Sequence, residues 1–398
     1  MPADALFHVL QDTQLSLIHI PLHLHPLFLQ PILQLLLHED QDSGSSTASR
    51  RPWEYDHPFA NISITPVECS IACSRTQARE LFVPIREALD TSSREQVTIT
   101  SEDYIVIQVD GAGMEAGQRV VELTTPLAMA GMYGHPHENE AVVADSSSSI
   151  FFITTYFCDY ILVPFKSRST VIRALEERDF TFEKHVSGNG GNMVITAAAH
   201  RRATSSTSSI DVGPPAIPPP ATISDLQTRT FATLKRRNVV PHASPDIRLV
   251  SCCGRKDGTP NRSASDDNEE KLHLGLVRCL LAHPRFLSLT LTDAEPASLL
   301  IEQRLLRHFD ADVLLGTRSD TLVPITLDLR ELPLESTGIV CGVAGRLVDG
   351  TAGPLKDAVD MLFLSTARAG NVLVYESELD RALEALRDAE DEVVVQPD

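Results

Sequence analysis

The chain has 398 residues, 42% of them apolar and 22% charged, with a formal net charge of −20. That balance excludes collagen-like, wholly disordered and disulfide-scaffold classes. It also repels phosphate backbones and anionic lipid, which sets aside nucleic acid and membrane surfaces as partners.

Residues 15–37 form the longest apolar stretch, but they carry Pro21, Pro26 and Pro31 together with His19, His23 and His25. A membrane-spanning helix avoids that many prolines and histidines. Asp4 and Asp12 precede the stretch and no Lys or Arg does, which argues against a signal peptide. The segment reads as a strand followed by a buried helix. Alternating or β-branched runs predict strands at 62–64, 104–109, 151–153, 160–163 and 287–289, and amphipathic runs predict helices at 171–176 and 379–387. Polar, Ser-, Gly- and Pro-rich composition marks a loop at 40–56, inserts at 134–149 and 254–270, and a disordered linker at 186–226. The seven cysteines are odd in number and include no Cys-x-x-Cys, which fits a reducing, cytoplasmic compartment and buried structural thiols.

An internal duplication organises the chain. Residues 152–163 (FITTYFCDYILV) match 363–374 (FLSTARAGNVLV), and each is followed by Arg-Ala-Leu-Glu, at 173–176 and 381–384. Earlier in each half, ISIT at 62–65 resembles LSLT at 287–290, and ECSIACSRTQARELF at 68–82 resembles EPASLLIEQRLLRHF at 295–309. The expected fold is α+β, with tandem ferredoxin-like βαββαβ modules in two pseudo-repeated halves of two modules each. The boundaries are 14–90, 96–185, 227–330 and 331–395, with the linker at 186–226. The first turn of such a module leaves a helix N-terminus open, a good place for a carboxylate.

Two segments, 336–347 (STGIVCGVAGRL) and 154–175 (TTYFCDYILVPFKSRSTVIRAL), resemble the CASTOR family, cytosolic arginine sensors of the TOR pathway built from four ACT modules. His25-Pro26-Leu27 and Ser365-Thr366 add to the resemblance. It implies a fold of paired ACT modules, no catalysis, and an amino-acid site between the second and fourth modules whose occupancy controls a partner complex. Carried onto this sequence, the site comprises Ser336, Thr337, Gly338 and Ile339, the turn with Thr366, Ala367 and Gly370, and the start of a helix at Glu122, Leu123 and Thr124. The family's acidic residue in the last turn is Gly370 here, with Arg368 two residues earlier. A guanidinium without a carboxylate partner loses its bidentate contact, which argues against arginine as the ligand.

Plainer roles stand beside these. Ser336 and Thr337 suit an N-cap as well as a ligand contact, and Gly338 suits a tight turn. His19, His23 and His25 lack an acidic or cysteine partner for a metal, and His135 and His137 sit in a polar insert. Cys69 and Cys73 lack an activating base. Asp159 on a turn is a candidate acid or base, or an Asx-type turn residue. No phosphate-loop, dinucleotide, nucleophile-elbow or His-Glu-x-x-His run is present. The expectation is a non-enzymatic, cytoplasmic amino-acid sensor without metal or cofactor, acting on a protein partner complex. A scaffold or metabolic-enzyme regulatory subunit with a degenerate pocket is the alternative. Exposed sheet edges favour pairing with a second copy.

Overall fold

The computed structural model describes residues 6–37, 59–110, 116–131, 149–178, 180–183, 222–255, 262–293, 295–332, 338–352 and 357–387. Its strands in chain order are β1 (Leu6–Ile20), β2 (Ala60–Ile64), β3 (Cys69–Ser74), β4 (Thr98–Ile99), β5 (Tyr104–Asp110), β6 (Phe151–Thr154), β7 (Cys158–Pro164) and β8 (Thr181–Glu183). They continue with β9 (His242–Ala243), β10 (Leu249–Gly254), β11 (Leu287–Leu291), β12 (Ser298–Glu302), β13 (Leu314–Leu315), β14 (Leu322–Asp328), β15 (Met361–Ser365) and β16 (Ala369–Tyr375).

These strands do not form four separate ferredoxin-like sheets. They join into one sheet in the order β10-β12-β11-β2-β3-β1-β5-β7-β6-β15-β16-β14, and β14 pairs back onto β10 through Leu322 and Leu249. The result is a closed antiparallel barrel of twelve strands, which replaces the tandem-module expectation. The physical reason lies in the polar positions of the strands. An alternating strand reads as one buried and one solvated face, but here both faces are covered. Ile62, Ile71, Leu289, Ile161, Val372 and their neighbours point outward under helices. Leu15, Leu17, Tyr104, Tyr160, Leu249, Leu300 and Leu373 point inward and meet in a central core.

The polar residues between them face inward and satisfy one another. Asn61 donates to Ser288 Oγ at 3.2 Å and Thr290 Oγ1 at 3.0 Å, and Ser63 donates to Asn61 Oδ1 at 2.7 Å. Thr326 donates to Asn371 Oδ1 at 3.0 Å. Closure also removes the long exposed edges that favoured self-pairing. Among the described residues, β4, β8, β9 and β13 lie outside the ring, and each is two or three residues long.

Two helical layers lie outside the barrel. One contains Leu29–Leu36 and Arg262–Leu281; the other contains Ala116–Gly131, Arg168–Glu176, Ile223–Arg236, Ile339–Thr351 and Leu379–Leu386. The helix at 223 begins inside the stretch read as linker, because Thr222 caps it by accepting from Asp225 N–H at 3.1 Å and Asp225 pairs with Arg229 one turn on. The helix Arg262–Leu281 likewise crosses much of the 254–270 insert. Residues 40–56 and 134–148, and most of 186–226, lie outside the described residues. Gly342 lets the helices Ile339–Thr351 and Ile223–Arg236 touch, since a Cβ there would stand 2.7 Å from Thr230 Cγ2.

The β6–β7 and β15–β16 hairpins are register mates. Thr154 pairs with Asp159, as Ser365 pairs with Gly370. Thr155 N–H donates to Cys158 O, as Thr366 N–H donates to Ala369 O, both at 2.9 Å. The two hairpins meet at Ile153 and Leu364, and each receives the other's amide: Phe152 N–H on Ser365 Oγ and Phe363 N–H on Thr154 Oγ1. The earlier pair repeats in the same way. Strands β2 and β11 lie antiparallel about Ser63 and Ser288, with Ile62 facing Leu289 and Ile64 facing Leu287, as two equivalent strands about a twofold must.

Candidate functional site

A cavity opens between the helix Ala116–Gly131, the start of the helix Ile339–Thr351 and the β15–β16 turn. Six of the ten residues expected from sequence line it: Thr124, Gly338, Ile339, Thr366, Ala367 and Gly370. Glu122 and Leu123 do not. Leu123 is fully buried in the outer core, and Glu122 accepts a hydrogen bond from Gln118 Nε2 at 2.8 Å on the exposed side. From Ala116, its first described residue, the helix meets the cavity at Thr124, Leu127 and Ala128. Ser336 and Thr337 lie outside the described residues.

Gly338 stands at the N-cap of the second helix with φ +78°, a left-handed conformation that favours glycine. It has no side chain to receive the first amides of the helix. Ile339, Val340 and Cys341, which carry those amides, line the cavity. The aligned peptide dipoles make this end electropositive and suited to a carboxylate. The Cys341 thiol is raised by burial, and its Sγ lies 3.2 Å from Thr125 Oγ1. Thr124 Oγ1 donates to Val120 O at 2.6 Å and also interacts with the Cys341 thiol at the start of the facing helix.

The β15–β16 turn is held from behind. Glu68, fully buried, accepts on Oε1 from Thr366 Oγ1 at 2.6 Å and Arg368 N–H at 2.5 Å, and its Oε2 lies 2.5 Å from His19 Nδ1. Ala367 N–H donates to Ser70 Oγ at 3.1 Å. These anchors come from β1 and the start of β3, far away in sequence, and only the closed barrel brings them to the turn. Sequence reading missed them, and it missed Phe363, Leu329 and Leu332, which give the cavity its apolar wall.

Among the described lining residues, Arg368 carries the only charge. A Cβ on Gly370 would stand 3.8 Å from Phe363 Cζ and 3.9 Å from Leu329 Cδ1, ordinary contact distances, so that corner accepts a methyl group without a clash. The room for the centre of a water-sized sphere is about 70 Å³. One water needs about 10–15 Å³ on that measure, so the space is that of a small ligand.

The other singled-out residues have structural settings. His19 and His25 are buried, and no cluster of three or more metal-ligating side chains occurs among the described residues. The seven cysteines are buried and free. Burial pushes Cys73, Cys158 and Cys252 up to about 12, and Cys69 higher still. Asp159 is buried against Arg119, whose Nε donates to Oδ2 at 2.8 Å. No described helix is long and apolar enough to cross a membrane.

Among known proteins, no curated sequence matches the chain. Aspartate kinase from Synechocystis is similar over 99% of this chain and 57% of its own, at 11% identity and a TM-score of 0.30. The chain therefore spans little more than half of that structure's length. A protein from Agobacterium tumefaciens is similar over 47% of this chain and 99% of its own, at 15% identity and a TM-score of 0.26. Neither likeness reaches a level that carries an argument about function, and the CASTOR family is not among these findings. An ACT domain is detected over residues 99–177, the part of the chain that brings Thr124, Leu127, Ala128 and Phe151 to the cavity.

Proposed function

We propose that this chain binds a free amino acid in the cavity and acts as a non-enzymatic, cytoplasmic regulatory protein whose partner binding changes with occupancy. One observation carries the reading: the uncapped helix start at Gly338–Cys341 and the β15–β16 turn face one cavity beside the detected ACT domain. ACT domains generally bind amino acids in regulatory proteins. The ligand carboxylate sits at the amides of Ile339 to Cys341, and its ammonium lies toward Thr124. Its side chain lies toward Gly370 and Arg368, which favours a small neutral or acidic side chain over arginine. Ligand binding draws the flank of one helix toward the end of another and so biases a partner-facing surface. The resemblance of residues 154–175 and 336–347 to the CASTOR family supports a place in TOR-type nutrient signalling.

A thermal-shift screen against the twenty amino acids tests this. Saturation about 100-fold above the dissociation constant adds about 2.7 kcal/mol. A response to one neutral or acidic amino acid is expected. Twenty flat traces would favour a constitutive scaffold or a regulatory subunit with a degenerate pocket.

A further inference from the structure

We propose that the groove between the helices Ile223–Arg236 and Leu379–Leu386 is the docking site of the chain's own acidic segment 388–398, with residues 393–395 laid along the free edge of β9.

The duplication supplies the frame. β5 and β14 are equivalent, since β5 pairs with β7 and β14 with β16, the second strands of the two matched hairpins. The outer part of β1, at Phe7–Leu10, lies beside β5 as β9 lies beside β14. In the first half, Leu6–His8 of β1 also receives β8 in parallel pairing, and β8 follows the helix Arg168–Glu176. Phe180 and Phe182 then pack against the outer core. In the second half, β9 pairs only with β14 among the described residues. An unpaired strand edge is a template for an added strand.

The position that β8 fills in one half is a groove in the other. It leaves about 540 Å³ for the centre of a water-sized sphere, and Phe231, Leu234, Ala243 and Leu383 line it. Val240, on the same wall, is 68% exposed. The helix Leu379–Leu386 carries the same Arg-Ala-Leu-Glu as its counterpart, and Arg387 leaves it in extended conformation on the groove wall, with φ −72° and ψ 141°. Arg346 Nη2 donates to Arg387 O at 3.0 Å and fixes that exit.

Residues 388–398 (DAEDEVVVQPD) lie outside the described residues, and their chemistry matches the groove. They hold five acids and no Lys or Arg. Lys235 and Arg387 line the groove, and Arg236 and Arg237 are exposed beside it. In a chain of net charge −20, this basic cluster attracts an acidic segment tethered at its rim. Val393, Val394 and Val395 are β-branched and apolar, the side chains that suit a strand over an apolar wall.

Hydrogen exchange on the intact chain tests this without a variant. The amides of residues 393–395 should exchange about 100-fold more slowly than in the isolated 388–398 peptide. Val240→Glu places a negative charge on the exposed groove wall, and should cut that protection about tenfold while leaving β8 unchanged. A chain stopped after Arg387 should melt about 3–5 °C lower, and the 388–398 peptide at millimolar concentration should restore the loss where a peptide with three serines for the valines does not. Exchange at the isolated peptide's rate would overturn the proposal. So would tail protection untouched by Val240→Glu, which places the segment elsewhere. Protection that vanishes on about 100-fold dilution would place it in a second copy's groove and overturn the intrachain docking. None of these outcomes depends on the amino-acid cavity.

Discussion

Glu68 Oε1 accepts a hydrogen bond from Thr366 Oγ1 at 2.6 Å, with both residues buried and 298 positions apart. Among the described residues, the first ninety contribute nothing to the cavity wall, yet through this bond and that of Arg368 N–H they hold the turn that forms it. Glu68→Ala should cost about 3 kcal/mol, because two donors and the facing His19 lose a buried charged partner. Urea unfolding measures the loss. Amide exchange should accelerate at Arg368 and remain unchanged in the helix Leu29–Leu36. A wild-type exchange rate at Arg368 would show that the turn holds itself.

Gly338 and Gly370 face the same cavity but differ in what they tolerate. Gly338→Ala forces a Cβ onto a φ of +78° and to 3.0 Å from Leu226 Cδ1, and should cost about 1–2 kcal/mol. Gly370→Ala makes only ordinary contacts, the nearest 3.8 Å away at Phe363 Cζ, and should leave the melting temperature within about 1 °C of wild type, since a position away from strain tolerates change. Only the second variant is a clean probe of ligand response. Equal losses in thermal melts would mean that the Gly370 corner cannot take a methyl group.

The Asp328 carboxyl lies below the usual carboxylate range, chiefly through its hydrogen bonds from Arg330, two residues on beside the cavity-lining Leu329. A depressed acid contributes stability above its unfolded value, and that contribution disappears as pH falls through its folded value. Asp328→Asn should therefore be less stable than wild type near neutrality, and the gap should close in acid. The pair is largely exposed, so the gap is small. Urea midpoints across a pH series check the sign; a gap that widens in acid would contradict it.

Burial raises the thiols of Cys73, Cys158, Cys252, Cys253 and Cys279 to about 12. Iodoacetamide needs the thiolate and access. The native protein should remain unlabelled at mildly alkaline pH, and the denatured chain should take up seven groups. Intact-mass spectrometry reads both numbers. Rapid native labelling at any of the five would show local opening there.

Much of the local structure was legible. The hairpin at 152–163 and its match at 363–374 are in register, because two apolar β-branched strands around a short polar turn admit few alternatives. The helix at 171–176 and the strand at 104–109 followed from periodicity. Glu122 and Leu123 entered through the family resemblance, and they lie off the cavity because only one face of the helix, at Thr124, Leu127 and Ala128, turns toward it. The inserts were overextended because Ser- and Asp-rich sequence carries no apolar stripe, although Thr222 could have been read as a cap.

By itself, the sequence determined the duplicated hairpins, the buried thiols and the Gly338 turn, since each depends on residues close together in the chain. Tertiary structure decided the barrel, the Glu68 anchor and the cavity to which Thr124, Ile339 and Gly370 come from three separate segments. Those depend on strand order and closure. An alternating strand specifies that its two faces differ, but not what will cover the polar one; here Asn61, Ser63, Ser288 and Thr290 are covered by one another.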